Sequence, residues 1–547
     1  MSFSNNPSAG VYVREIDLSQ RVANVSTSIG AIIGQARKGP VGVPTLVTSV
    51  EDYLERFGEP SPLLGFMTYC ALQFLSASDR IYVTRLTKQA LTAGMYWTVD
   101  DASAIVPNLF LNAFDDGTNQ PLGVDDPATN MGFDSSDPAA ANMLGIFYCD
   151  TPGVWNNDYS VRIRPSNKSG KPPGVDHDTL EFYVDVFKFY DSPSDYPIES
   201  FLVSREHKVD GFGRSMYIED VINAKSKIVR FKDNVFCGQV PVVQSCFEFL
   251  DGGSDGDTPD TFQIVNAWDA YLDTEQLDIN ILINAGYAVE EIHRKMDYVA
   301  STRMDSVAIL DVPKEYQREV AQTIYYRKGL LNLDSSYSAL YVPDIKIFDM
   351  YNGLDNVEIP ISGHVASIYA ITDKVSAPWF APAGLNRGLL RIKGVTKLYN
   401  QGARDALDSA QVNMVRYIPG HGYALWAQGT LQAKTSSLSN INVRRLMNYI
   451  EKALSLTVIY SVFDPNDSLL RRSLVSLCET FLRPIQQQRG IYEFVVYCDD
   501  RNNPPAVIAN GDLVLDVFID PVLPAKRILL RAIITRTGAL FSEVGTI

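Results

Sequence analysis

The chain is poor in the residues that most catalytic and redox chemistry requires. Histidine occurs five times in 547 residues, at positions 177, 207, 293, 364 and 421, and none stands in an HExxH or similar zinc-binding spacing. Six cysteines, at positions 70, 149, 237, 246, 478 and 498, form no CxxC pair. Neither a zinc ribbon nor a redox motif is indicated, and the thiols are expected to be reduced and mostly buried. No Walker A loop occurs, and no complete GxGxxG follows a strand-like run, which removes the common phosphate-binding turns. Apolar runs stop short of the roughly 18 residues that cross a bilayer. The start, Met-Ser-Phe-Ser-Asn-Asn-Pro, has neither the basic nor the apolar part of a secretory signal, so a protein made and used in water, without membrane insertion, is expected. Positive charge is also scarce: 48 Lys and Arg against 64 Asp and Glu leave a net charge of -16, which argues against a nucleic-acid partner.

What is present is ordinary for a large soluble protein. Apolar residues make up 46% and charged residues 20%, and the length gives a prior of about three or four domains. Charge divides the chain unevenly. Residues 401–547 hold 15 basic against 13 acidic residues, whereas residues 91–250 hold 12 against 23 and are dense in Pro, Gly, Asn and Asp. That middle stretch reads as a separate, acidic unit.

Before it, Ile29 to Gly34 is a short buried strand, Ser49 and Asp52 have capping-box spacing, and Gly58 can end the helix they start. Leu64, Met67, Ala71 and Phe74 share a helical face, and Arg80 to Leu86 alternates like a strand. After it, Ile279 to Ile283, a helix carrying Val289, Ile292, Met296 and Val299, the run Val307 to Leu310, a helix from Lys314 to about Lys328 with Pro313 at N1, and Ser338 to Val342 follow in turn. This alternation predicts parallel pairing with right-handed crossovers, and hence one α/β domain interrupted by the acidic insertion. The aromatic and β-branched stretch Leu180 to Tyr190 makes the insertion a β-barrel or sandwich. Beyond it, helices are expected at Asn442 to Leu456 and Asp467 to about Arg489, then strands at Ile491 to Cys498, Asp512 to Ile519 and Arg527 to Arg536. Both chain ends, Ala9 to Leu18 and Ile528 to Thr535, are strand-like, which is unusual unless they are paired.

Apparent motifs fail on context. Gly252-Gly253-Ser254-Asp255-Gly256 matches the GxSxG hydrolase elbow, but Asp257 to Asp260 intervene where a helix must begin, so a plain loop is expected. Asp251, Asp255 and Asp257 could offer oxygens to calcium, yet their spacing is not that of an EF-hand. The pairs Arg444-Arg445 and Arg471-Arg472 mark either a solvated helix face or a partner surface. No catalytic, cofactor or metal-ligating residue is assigned, and a structural role gains weight accordingly.

Gly10-Val11-Tyr12-Val13-Arg14-Glu15, with Ala9 where proline is common, is similar to the PGVYV-E opening of the contractile tail sheath proteins of bacteriophages, a family that the chain resembles over nearly its whole length. Gly39-Pro40, Pro44 with Val47-Thr48-Ser49, Phe57-Gly58, and Pro152-Gly153-Val154-Trp155-Asn156-Asn157 follow in family order. So do Phe249-Leu250-Asp251-Gly252-Gly253, Ser301-Thr302-Arg303, Ala381-Pro382-Ala383-Gly384, Leu425-Trp426, Ile441 to Leu446, Phe463-Asp464-Pro465-Asn466 and Thr537-Gly538.

The resemblance implies an α/β multi-domain fold: a subtilisin-like α/β core without a catalytic triad, an inserted outer β-rich domain, and an α+β C-terminal domain with terminal β-arms. The expected divisions are 1–28 (linking arm), 29–90 and 251–400 (core), 91–250 (insertion) and 401–547 (C-terminal domain). It implies a structural subunit, not an enzyme and without cofactors, that stacks with itself in helical rings around a tail tube protein and meets baseplate and tail terminator proteins. Assembly in the host cytoplasm into the tail of the virion follows from the same resemblance. The arms would use Val11, Tyr12, Val13, Arg14, Ile16, Leu529, Ala532 and Ile534, and the tube would be met by Arg444, Arg445, Arg471 and Arg472. A related contractile injection or secretion sheath, or a degenerate subtilisin-like hydrolase, are the alternatives.

Overall fold

In the computed structural model, residues 27–99, 107–110, 143–166, 181–189, 196–234, 237 and 245–530 are described. The chain divides into two compact units: one runs from Ser26 to Tyr449 apart from Trp379–Ala381, and the other combines Trp379–Ala381 with the described part of Ile450–Ile547.

The first unit is built on a nine-stranded sheet. Its spatial order is Leu389–Leu390, Gly422–Leu425, Val412–Ile418, Ser338–Val342, Val307–Asp311, Ile281–Ile283, Gly30–Gly34, Ile81–Arg85 and Thr45–Val47. The six strands from Val412–Ile418 to Ile81–Arg85 are parallel, and antiparallel strands close both sides. Successive side chains in these strands serve opposite faces, because a strand's side-chain period is two. Ile32, Ile281, Ile283 and Ile309 join one core with helices Met67–Leu75 and Ser362–Val375. Ala31, Ile33, Leu282 and Leu310 join the other with helices Thr261–Ala267 and Glu290–Arg303. Strands buried on both faces read as continuous apolar runs, which is why they were legible. The expected division at residue 400 is corrected: Val412–Ile418 pairs with Ser338–Val342 inside this sheet, and the unit continues to Tyr449.

Local signals explain several boundaries. Ser49 Oγ accepts from the Asp52 N–H at 3.0 Å, and Thr48 N–H donates to Asp52 Oδ2 at 3.1 Å, which together start helix Val50–Phe57; Gly58, at φ 81°, ends it. The expected helix from Lys314 to Lys328 is instead three pieces: a 3₁₀ turn Lys314–Gln317, a short helix Val320–Tyr325 and a π turn Tyr326–Leu331, with Pro313 in the cap position and not at N1. Gln317 causes the first break. Its amide donates to Val312 O at 2.6 Å and accepts from Asp344 N–H at 2.8 Å, holding that turn against the sheet instead of letting the helix run on.

The chain leaves the main sheet after Arg85 and returns at Ile281. Between them lie two four-stranded antiparallel sheets, ordered Val229–Asp233, Met143–Cys149, Gly94–Val99, Pro107–Phe110 and Cys246–Phe249, Tyr159–Pro165, Glu181–Lys188, Glu199–Ser204. Both sheets contribute to one core of their own, centred on Trp97, Phe147, Phe182 and Phe231. Gly145 is required there, since a Cβ would lie 2.2 Å from the Phe231 ring.

Arg85 fastens this insertion to the main sheet. The side chain is fully buried, and backbone carbonyls satisfy it: Nε donates to Ala36 O at 2.9 Å, Nη1 to Gly39 O at 2.9 Å, and Nη2 to Arg37 O at 3.3 Å and Pro152 O at 2.7 Å. Burial lowers the guanidinium to about 10, which leaves it charged at neutral pH.

Candidate assembly surface

The candidates for chemistry resolve into structure. Ser254 exchanges backbone hydrogen bonds with Leu91 (2.9 and 3.0 Å) and its Oγ accepts from Gly256 N–H, so it belongs to a strap and not to a strand-to-helix elbow. Asp255 Oδ1 accepts from Val154 N–H at 3.0 Å, and Gly253 pairs with Asn157, tying that strap to the insertion. Among the described residues no group of three or more His, Cys, Asp or Glu could hold a metal ion. His293 is buried with Nδ1 against Tyr326 OH at 2.9 Å, and burial lowers it to about 3; His364 is lowered to about 4 by the same cause. Both are neutral at physiological pH. Asp311, which burial raises to about 7, accepts from Ser362 N–H at 2.9 Å and Gly286 N–H at 3.1 Å, and so caps the start of helix Ser362–Val375.

Three of the four arginines expected to face a tube are buried, which corrects their placement on an exposed helix face. Arg444 donates from Nε to Asn448 Oδ1 at 2.7 Å and lies over the Tyr337 ring. Arg445 donates from Nη2 to Asp373 Oδ2 at 2.6 Å and lies over Tyr369. Arg471 bonds Asp500 Oδ1 at 3.0 Å and its own helix at Asp467 O. Arg472 alone of the four is exposed. Adjacent arginines in a sequence carry no sign of whether a carboxylate 72 residues away will meet them, and buried arginine is rare without such a partner.

In the C-terminal unit, helix Ser468–Gln487 starts at Asp467, whose Oδ1 accepts from the N–H groups of Leu469 and Leu470 at 2.9 and 2.7 Å. It buries Leu474, Cys478, Phe481, Leu482 and Ile485. Against it lies the antiparallel pair Ile491–Tyr497 and Asp516–Pro521. The second strand begins four residues later than Asp512. Among the described residues no third strand joins either edge, and Tyr492, Val495 and Phe518 are exposed. A two-stranded ribbon with open edges is marginal in water, so this sheet stands to gain from added strands.

Of the expected arm residues, Leu529 lies among the described residues. Val11, Tyr12, Val13, Arg14 and Ile16, like Ala532 and Ile534, lie outside the described residues. The described part of the expected strand Arg527–Arg536 is not a strand, and Leu529 there is exposed. Among the described residues no strand pairs with it.

Comparison with known proteins identifies this architecture. Over 90% of the chain it has the fold of the sheath tail protein from Desulfitobacterium hafniense (TM-score 0.55, 12% identity, 94% of that chain). It is also similar to the PVC sheath complex of an extracellular contractile injection system in its contracted state (TM-score 0.51, 14% identity, 97% of this chain and 98% of that one). The fold is thus that of a sheath subunit. Residues 258–431 match the phage tail sheath protein central domain and residues 433–535 the phage tail sheath C-terminal domain, and the chain belongs to the phage tail sheath family. The tail sheath protein of Vibrio phage KVP40 is 33% identical over 303 residues, covering 50% of this chain and 45% of the relative. That of Enterobacteria phage T4 is 31% identical over 303 residues, 51% of this chain and 46% of the relative. The chain thus spans about half the length of these curated relatives.

Proposed function

We propose that the protein is the structural subunit of a contractile tail sheath, polymerising helically around a tail tube and contracting to drive that tube through a host envelope. The observation that carries this reading is the ribbon Ile491–Tyr497 and Asp516–Pro521, whose edges no strand of the described residues covers, in a chain whose two ends have strand-like sequences. Terminal arms of neighbouring copies would add to it by β-augmentation, so that main-chain hydrogen bonds keep subunits joined while their bodies rotate. Contraction would release conformational energy stored in a metastable extended lattice, without nucleotide hydrolysis, once a baseplate triggers it. The tail tube, baseplate and tail terminator are the proposed partners, assembly takes place in the host cytoplasm, and the virion tail is the proposed location. The parallel-sheet unit is proposed as a subtilisin-like core without a triad, with the acidic insertion on the outside. Sequence identity to phage relatives favours a phage tail over a cellular injection sheath.

Electron microscopy of the purified protein at high concentration tests this reading. Tubes of stacked rings with the insertion at their outer radius are expected; a protein that stays monomeric at every concentration contradicts it. For tube contact, Arg472 is the residue of the four that remains available. Exposed pairs contribute roughly 0.2–1 kcal/mol each and weaken with salt, which suits a surface that must release. Arg472→Glu should lower the yield of sheath on tubes at low salt while leaving tube-free polymers unchanged; equal yields on tubes would remove Arg472 from that surface.

A further inference from the structure

The turn between helices Ile441–Val458 and Ser468–Gln487 displays exposed apolar side chains that none of the described residues covers. Ile459, Tyr460, Val462 and Phe463 are exposed, and Phe463 is fully so. It also holds a left-handed backbone, at φ 72°, which a side chain of this size seldom adopts without compensation. The turn is nonetheless built to stay in place: Val462 N–H donates to Ile459 O, Asp464 N–H to Ser461 O, and Asn466 Nδ2 to Asp512 O at 2.9 Å. No Lys or Arg occurs between Lys452 and Arg471, and Asp464 beside the aromatic is exposed.

The parallel-sheet unit carries a cleft of about 620 Å³ with the opposite character. Ile347, Leu390 and Tyr423 make its walls apolar, Phe348 stands half-exposed at it, and among the described residues no carboxylate lines it. Arg391 and Lys393 supply positive charge. Lys393 is paired with Asp355, whereas Arg391 has no ion-pair or hydrogen-bond partner among the described residues. His364, also lining the cleft, is buried with Nδ1 unbonded. The volume is that of clefts that take drug-sized ligands, enough for aromatic side chains.

We propose that the Tyr460–Asp464 turn of one copy enters the Phe348–Tyr423 cleft of a second copy, with Asp464 against Arg391. A patch that fits a pocket elsewhere on an identical chain makes a heterologous contact, and where the rotation does not close, such contacts propagate as a helix. The inference deepens the sheath reading and rests on it. It names a side-chain contact between copies in addition to exchanged strands, and accounts for the strained aromatic and the unpaired arginine together.

Two full-length variants test it, Val462→Cys and Met350→Cys, which leave Phe463, Asp464, Phe348 and Arg391 in place. Mixed, polymerised and oxidised, they should give covalent dimers well above wild-type background, and neither alone should. Asp464→Arg and Arg391→Asp should each raise the concentration needed for polymerisation by about tenfold or more, and their combination in one chain should restore it. Tubes that form without the mixed cross-link overturn the contact and leave the sheath reading intact. Val462→Cys cross-linking to itself overturns it, as does a double-cysteine chain that closes within one copy. A wild-type protein that never polymerises removes both.

Discussion

Replacing Arg85 with alanine is expected to lower stability by about 3–5 kcal/mol. A buried acceptor left without its donor costs about 1–3 kcal/mol, and this side chain serves four carbonyls, some of which water will reach once the cavity opens. The loss should be local first. Pro152 O and the strap at Ser254 hold the insertion to the main sheet, so amides near 152–157 should lose hydrogen-exchange protection before those of Ile281–Ile283 do. Arg85→Lys, with one ammonium in place of a fork, should lie between the two. A wild-type denaturation midpoint for Arg85→Ala would show that the carbonyls find other donors.

Asp373→Ala is expected to destabilise by a similar amount, about 3–5 kcal/mol, because it strands the buried Arg445 charge. Both side chains are only 5% exposed, and Asp373 Oδ2 also accepts from Ser28 Oγ at 2.8 Å. The effect should therefore reach the strand Gly30–Gly34 just beyond Ser28, seen as early exchange of its amides. Replacing both partners, as Asp373→Leu with Arg445→Met, should be far less harmful than Asp373→Ala alone, since no unpaired charge remains. Equal losses in the single and double variants, by thermal unfolding, would mean that packing against Tyr369 matters and the pair does not.

The strands and helices around the main sheet were legible because their apolar periods are long and their caps are local, as at Ser49 and Gly58, and the same holds for the cap at Asp467 in the C-terminal unit. Helix Ser362–Val375 was not. Ten of its fourteen residues are buried, so it has no polar face to give a 3.6-residue period, and Gly363 approaches Cys70 so closely that a Cβ would lie 2.5 Å from its Cα. The break at Gln317 depends on Asp344, which is distant in sequence, and the fate of Arg444, Arg445 and Arg471 depends on Tyr337, Asp373 and Asp500 in the same way. The open ribbon was half legible: both strands could be read, but that no third strand borders them among the described residues is seen only in the fold. The exposed turn at Phe463 stood in the sequence only as Phe-Asp-Pro-Asn, a pattern that reads as a loop whether or not anything covers it.

Deleting residues 1–19 tests most directly the claim that strands exchanged between copies hold the assembly. The account predicts a soluble, folded monomer with near-native thermal unfolding that forms no sheath at any concentration, as judged by sedimentation and electron microscopy. A markedly less stable monomer would show instead that the chain end pairs within its own subunit, and tubes indistinguishable from wild type would show that the arm is not needed; either result contradicts the account.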